Sequence, residues 1–405
     1  MHRYAFLLLV LAASPTACDP EPVGPGGREP NDSLFDAVEF PVLGHGTTQE
    51  RYTAEVAARD DWAYTSTWSA RGAIQGNAIK IWDVSGNTPL LVDSLIVENA
   101  ATLGDVQISD DGSLLVVATE RNNGSIVIYD RSTDPRRPVR LSRHMSDATR
   151  NTGVHTVKLG RVNGRHYAFL SVNPGPPRLV VVDITDPANP VEVLVKVMGV
   201  PFIHDVFVRD GLLFTALWNG GLTIWDIGGG GNEGADPANP ILIGNVQTVN
   251  GAVHNVWWYH APDGSKRYAF VGEEGPGSLG ASSTGDVHVV DVSDMAQPHE
   301  VAFFHVPGAG AHNFVMDEEA GVLYAAFYNG GVRALDVRGD LSDCEPNQRN
   351  GDRCNLGLMD RQVGVGLHNR GVISIWGVAK VGDVIYASDM LTGLFALDAT
   401  GLRAR

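Results

Sequence analysis

The chain has few basic residues for its length, and they form no cluster. Its 405 residues include 30 Lys and Arg against 47 Asp and Glu, which gives a formal net charge of −17. A surface for nucleic acid or for anionic lipid requires a basic patch that meets the phosphates. The composition therefore excludes nucleic acid and anionic membrane surfaces as direct partners, and an acidity of this kind favours a soluble monomer.

The chain also lacks the short motifs of common enzyme classes. It contains no G-x-S-x-G nucleophile elbow, no H-E-x-x-H zinc-protease pair and no phosphate-binding glycine loop ahead of a helix. No stretch sustains a helical period with caps at its ends, so we expect little or no helix. The sequence identifies no catalytic residue.

Cysteine is scarce, with only three residues. Cys344 and Cys354 lie close enough along the chain to form a disulfide in an exported protein, which leaves Cys18 alone. Cys18 follows an apolar stretch too short to span a bilayer, which predicts a signal peptide over residues 1–18. The residues before Cys18 resemble the lipobox of bacterial lipoproteins, although Pro15 stands where leucine is usual. We therefore expect a lipid anchor at Cys18.

Residues 19–36 are rich in proline, glycine and acidic side chains and have no apolar period. This composition predicts a flexible tether. The localisation expected from the leader is the bacterial cell envelope, with the protein either lipid-anchored or secreted.

What the chain does contain is a repeated sequence motif, an apolar run that ends in aspartate. It ends at seven positions: Asp83, Asp130, Asp183, Asp226, Asp291, Asp336 and Asp398. Successive aspartates lie 43 to 65 residues apart, and each interval holds several short strand-like runs broken by turn residues. This is the length of one four-stranded propeller blade. The sequence therefore predicts an all-β, seven-bladed β-propeller over residues 37–405.

The two ends of the chain predict how the ring closes. The last repeat supplies three strands and then ends, whereas residues 37–48 align with the outer strands of other repeats. An N-terminal outer strand added to the last blade would leave no unpaired edge. Residues 338–369, which carry Cys344 and Cys354, are expected to form a loop longer than a turn requires.

The repeats resemble those of the LVIVD-repeat family of bacterial surface and secreted β-propellers. The resemblance rests on LVVVD at 179–183, on the DPANP turns at 186–190 and 236–240, and on the HDV and HNV openings of innermost strands. It covers about residues 37–398 and implies the fold. It implies no general enzymatic activity, because propellers host many functions.

Histidine recurs at one position of the repeat, near the start of the innermost strand in four consecutive blades: His155, His204, His254 and His312. In a propeller this end of the strand meets loops that join the second and third strands, which predicts a binding face with these further residues: Trp218, Asn219, Glu273, Glu274, Tyr328 and Asn329. The histidines either bind a divalent metal or pack between blades with hydrogen bonds to neighbours. Because they follow the repeat, we favour packing and assign no metal ligand or cofactor.

These observations predict an extracytoplasmic, lipid-anchored propeller that acts as a non-enzymatic binding or scaffolding module. Its expected partner is a protein or glycan of the envelope or the extracellular space, and it meets the membrane only through its anchor. The alternative is a metal-dependent hydrolase or lyase, with the four histidines as ligands and Glu273 as the base.

Overall fold

A computed structural model describes residues 37–121, 123–198, 202–275 and 284–402. The predicted signal peptide, Cys18 and the tether lie outside these residues. The described part of the chain contains no helix of the length and apolar character needed to cross a membrane. Its helical content consists of two short 3-10 turns, Pro346–Gln348 and Thr400–Leu402.

The strands form seven sheets arranged as propeller blades. Two strands precede the first blade, β1 (Val38–Glu39) and β2 (Val42–Thr47). Blade one contains β3 (Tyr52–Arg59), β4 (Trp62–Trp68), β5 (Ala78–Asp83) and β6 (Leu90–Ile96). Blade two contains β7 (Thr102–Ile108), β8 (Leu114–Glu120), β9 (Ser125–Asp130) and β10 (Val139–His144). Blade three contains β11 (Val154–Val162), β12 (Arg165–Val172), β13 (Arg178–Asp183) and β14 (Val191–Val197).

The second half of the ring repeats this order, with two short extra strands in the long loop at residues 338–369. Blade four contains β15 (Asp205–Arg209), β16 (Leu212–Ala216), β17 (Leu222–Asp226) and β18 (Ile241–Val246). Blade five contains β19 (Val253–Trp258), β20 (Tyr268–Glu273), β21 (Val287–Asp291) and β22 (His299–Phe304), and blade six begins with β23 (Phe314–Asp317), β24 (Val322–Ala326) and β25 (Val332–Asp336). The long loop that follows contains β26 (Arg349–Asn350) and β27 (Arg353–Asn355), and β28 (Gln362–Gly366) completes blade six. Blade seven contains β29 (Ile375–Val381), β30 (Val384–Asp389) and β31 (Gly393–Asp398).

The N-terminal segment closes the ring, as the sequence predicted. Strand β2 pairs antiparallel with β31, so blade seven has the order β2-β31-β30-β29. Just before it, β1 pairs in parallel with β28, the outer strand of blade six. The N-terminal segment therefore joins the last two blades and covers the outer edges of both.

The repeated aspartate ends the third strand of every blade, and the structure shows why it recurs. In each of the seven blades its carboxylate accepts a hydrogen bond of 2.8–3.0 Å from the backbone N–H two residues further on. This is an Asx turn, which stops the strand and turns the chain toward the outer strand. The residues before it form the third strand, which is buried along almost its whole length, so the repeat appears in the sequence as a continuous apolar run.

The long loop at residues 338–369 is partly a β-structure. The disulfide between Cys344 and Cys354 is present. Strands β26 and β27 form a small ribbon, and β27 pairs in parallel with β22 to extend blade five. The same range also contains β28, the fourth strand of blade six, so it is more than a loop and supplies part of the ring.

Candidate functional site

The innermost strands place their first residues around one end of the central channel. In the aligned position stand Ala54, Gly104, His155, His204, His254, His312 and Trp376, and all seven line a cavity of about 110 Å³. In five blades the pairing between the first two strands shifts register here, between Thr53 and Val56, for example. Such a bulge re-aims the side chain at that point, so two consecutive residues of each strand can face the cavity.

A second ring surrounds the first and comes from the ends of the second strands. In each blade one residue of the second strand pairs with the repeat aspartate, as Leu212 does with Asp226. The residue six positions further on stands next to the inner ring, and its type changes from blade to blade: Trp68, Glu120, Asn173, Trp218, Glu274, Tyr328 and Met390. The strand register therefore shows that these seven residues occupy equivalent positions, although their residue types differ.

Two aromatic residues of this second ring have a strained backbone. Trp218 has φ 52° and Tyr328 has φ 40°, values that bulky residues rarely adopt. Each exchanges two backbone hydrogen bonds with the next blade, Trp218 with Val253 and Tyr328 with Ile375, at 3.0–3.3 Å. Strain of this kind costs about 1–3 kcal/mol and persists only where the surroundings enforce it. Both aromatic rings are thus held at the channel mouth by contacts between blades.

The histidines and their neighbours form a chain of contacts along the mouth. Nδ1 of His155 is hydrogen-bonded to Oε1 of Glu120 at 2.7 Å, and its Nε2 lies 2.9 Å from Nε2 of His204. Nε2 of His204 and Nε2 of His254 each lie 3.7 Å from Oε2 of Glu274. The Tyr328 hydroxyl donates to the other oxygen of Glu274 at 2.5 Å. Two histidines and one carboxylate therefore converge, with a third histidine beside them.

The aromatic side chains complete the rim. The rings of His204 and Trp218 are stacked with centroids 5.7 Å apart, and Trp68 lies 5.6 Å from Trp376. His312 has its own partner, because its Nδ1 donates to the backbone carbonyl of Trp376 at 2.6 Å. Polar groups at the centre of the mouth are thus surrounded by large aromatic side chains, an arrangement typical of ligand sites.

Burial and, for His155, the carboxylate of Glu120 set the pKa values of these histidines. Burial lowers the pKa of His204 and of His254 well below the usual range, and it lowers that of His312 to about 3. Burial also acts to lower the pKa of His155, but the charge and hydrogen bond of Glu120 outweigh it, and the result is raised. At neutral pH the imidazoles of His204 and His254 are therefore neutral and keep a lone pair for a ligand.

Acidic side chains lie deeper in the channel, one residue after the inner ring. Glu55, Asp105 and Asp205 line the same cavity, with Lys158 nearby. Burial, followed by the charge of Asp105, raises the pKa of Glu55 well above its usual range, and burial together with Asp205 raises the pKa of Asp105 to about 7. The side-chain amide of Asn313 donates to Glu55. Burial, with repulsion between the carboxylates as the second cause, favours the protonated form of these acids.

The structure brings together most, but not all, of the residues that the sequence placed on this face. Glu273 lies apart from its neighbour Glu274: its carboxylate contacts His288 at 3.3 Å and accepts from the N–H of Asp286. Asn219 accepts from the backbone of Ala252. Asn329 donates to the carbonyl of Gly308 at 2.7 Å, so both asparagines hold loops in place.

Sequence reasoning missed four members of the second ring: Trp68, Glu120, Asn173 and Met390. Trp68 and Glu120 contact each other at 3.3 Å. Sequence reasoning also left Glu55, Asp105 and Asp205 out of the site. A signal existed for the acids, because they directly follow the aligned residues of the inner ring, Ala54, Gly104 and His204. For Glu120 the only signal was its distance from the repeat aspartate, which requires strand register to interpret.

Comparisons with known proteins agree with the fold. The LVIVD repeat matches residues 167–195 and 203–248, which confirms the resemblance for repeats of blades three and four. No curated protein matches the chain. Among solved structures, the β-propeller domain of Cps50 (Swd1) from Myceliophteria thermophila is similar, with a TM-score of 0.58, 12% identity and coverage of 88% of this chain and 98% of that one. At this identity the likeness shows the propeller fold alone.

Proposed function

We propose that the protein is an exported, lipid-anchored propeller that acts as a non-enzymatic binding module, with the channel mouth as its binding face. The observation that carries this proposal is the pair of rings around the mouth, in which aromatic and polar side chains are held by contacts between blades. Trp218 and Tyr328 keep strained backbones there. Strain retained at a concave, aromatic-lined surface is typical of a preorganised binding site.

The chemistry of the cavity supports binding over acyl transfer. Among the described residues that line it, Thr156 is the one side chain with an aliphatic hydroxyl. That hydroxyl donates to the backbone carbonyl of His204 at 2.9 Å and therefore has no imidazole base in front of it. Glu273, the base expected for a hydrolase, bonds to His288 away from the cavity.

The partner that fits this mouth is a protein or glycan of the envelope or the extracellular space. Trp218, Trp376 and Tyr328 offer large, rigid apolar faces, and Glu120 and Glu274 offer acceptors beside them. Tryptophan and tyrosine are the residues that most often dominate binding surfaces. The disulfide between Cys344 and Cys354 supports an oxidising compartment outside the cytoplasm, where such a partner is found.

The test compares variants of the full chain in capture from an envelope extract and on a glycan array. Trp218→Ala removes the ring that stacks on His204. Leu242→Ala, on the outer strand of blade four and 58% exposed, is the matched control. We expect specific ligands that wild type and Leu242→Ala retain and that Trp218→Ala loses, with circular dichroism unchanged. Ligands retained equally by Trp218→Ala would show that the mouth is not the binding face.

A further inference from the structure

The hydrogen bonding of His254 differs from that of the other buried histidines. It is 2% exposed, and neither of its ring nitrogens makes a hydrogen bond. By contrast, His288 bonds to Glu300, and His312 to the carbonyl of Trp376. A histidine present for packing alone is expected to have such a partner, because an unsatisfied buried polar group is unfavourable. Packing between blades therefore does not account for His254.

The unpartnered nitrogen faces two other ligand atoms. Nε2 of His254 and Nε2 of His204 each lie 3.7 Å from Oε2 of Glu274, and ligand atoms of all three residues lie within 4.8 Å of one another. Ligands bound at about 2.0–2.2 Å in a tetrahedral zinc site stand roughly 3.3–3.5 Å apart. Each imidazole–carboxylate pair therefore needs only a short inward shift to hold an ion between them.

We propose that His204, His254 and Glu274 form a binding site for a divalent transition metal, with zinc as the best match. Imidazole nitrogens suit zinc and its neighbours, whereas calcium and magnesium take oxygen ligands throughout. Three protein ligands are also the number found in zinc sites that keep one position open. The site goes beyond the proposed binding function and does not depend on the identity of the partner.

The neighbours of these three residues orient them. Tyr328 donates to Oε1 of Glu274 at 2.5 Å, which leaves Oε2 directed at the two imidazoles. Partners of this kind fix a ligating carboxylate and strengthen metal binding. On the other side, Nε2 of His155 lies 2.9 Å from Nε2 of His204, and metal binding at His204 replaces this contact. Tyr328 is therefore a positioning residue of the site.

The experiment titrates the chelator-stripped full chain with Zn²⁺ in a calorimeter and with Co²⁺ in an absorption spectrometer. We expect one metal ion per wild-type chain and a cobalt spectrum with mixed nitrogen and oxygen ligands. His254→Ala and Glu274→Gln should each weaken zinc binding by more than about 100-fold, and Tyr328→Phe by roughly 10–100-fold. The matched control is His299→Ala, an exposed histidine at the start of β22, which should bind as wild type does.

Two results would overturn the proposal. One is a wild-type chain that takes up no zinc. The other is zinc bound with wild-type affinity by folded Glu274→Gln, since the ion would then lie elsewhere, for instance among the acidic residues near the disulfide. Glu274→Gln changes a charge with little change in volume, so it decides the question even if His254→Ala does not fold.

Discussion

Phe40 is the residue that most directly tests how the ring is closed. It is 2% exposed, its N–H donates to the carbonyl of Val365 at 2.8 Å, and its ring packs against Gly364 and Tyr324 of blade six. Removing a buried phenylalanine side chain costs about 3–5 kcal/mol. With an unfolding entropy of roughly 2.1 cal/mol/K per residue, Phe40→Ala should lower the Tm of a propeller of this size by about 4–7 °C.

Differential scanning calorimetry of Phe40→Ala, wild type and Leu242→Ala measures this effect. Leu242 lies on the outer strand of blade four and is 58% exposed, so its truncation should change stability by no more than about 0.5 kcal/mol. Phe40→Ala should also tend to self-associate, because a loosened β2 exposes the edge of β31. A Phe40→Ala variant that has the same Tm as Leu242→Ala and stays monomeric would refute the closing role of the N-terminal segment.

Two further predictions concern the anchor and a buried histidine. Cys18→Ser should move the protein from the membrane fraction to the soluble exported fraction, because stable attachment depends on acyl chains; wild type recovered without lipid would contradict this. For His288, burial lowers the pKa, but the hydrogen bonds that the imidazole donates to Glu273 and Glu300, with the charges of Glu300 and Asp286, raise it to about 9. The stabilisation is fully present below about pH 6.5 and is lost as the pH rises through about 9, so the urea midpoint of wild type should fall over this range and that of His288→Gln should not. Equal slopes for the two proteins would contradict the assignment.

The fold was predictable because its signal is local. The Asx turn requires a carboxylate at one place in each blade, and the third strand before it is buried on both faces, so an apolar run ending in Asp83 or Asp398 marks a blade directly. The closing strand was predictable for a related reason, since blade seven lacked a fourth strand in the order of the chain.

The site was only half predictable because side chains at equivalent positions make different hydrogen bonds. The four histidines share one place in the repeat, yet His155 bonds to Glu120, His312 to a backbone carbonyl, and His254 to no group. These differences depend on which side chain of the second ring lies beside each histidine. Glu120 occupies a position equivalent to those of Trp218 and Tyr328, but only strand register reveals this, so the sequence pattern alone treats the histidines as one set.

The most direct test of the claim that the channel mouth is built to hold a metal ion is anomalous diffraction at the zinc absorption edge, measured on crystals of the zinc-loaded full chain. We expect a single strong peak between Nε2 of His204, Nε2 of His254 and Oε2 of Glu274, which lie within 4.8 Å of one another. The peak should be absent from crystals of Glu274→Gln grown in the same way. No peak at the mouth, or a peak only elsewhere on the protein, would contradict the metal site.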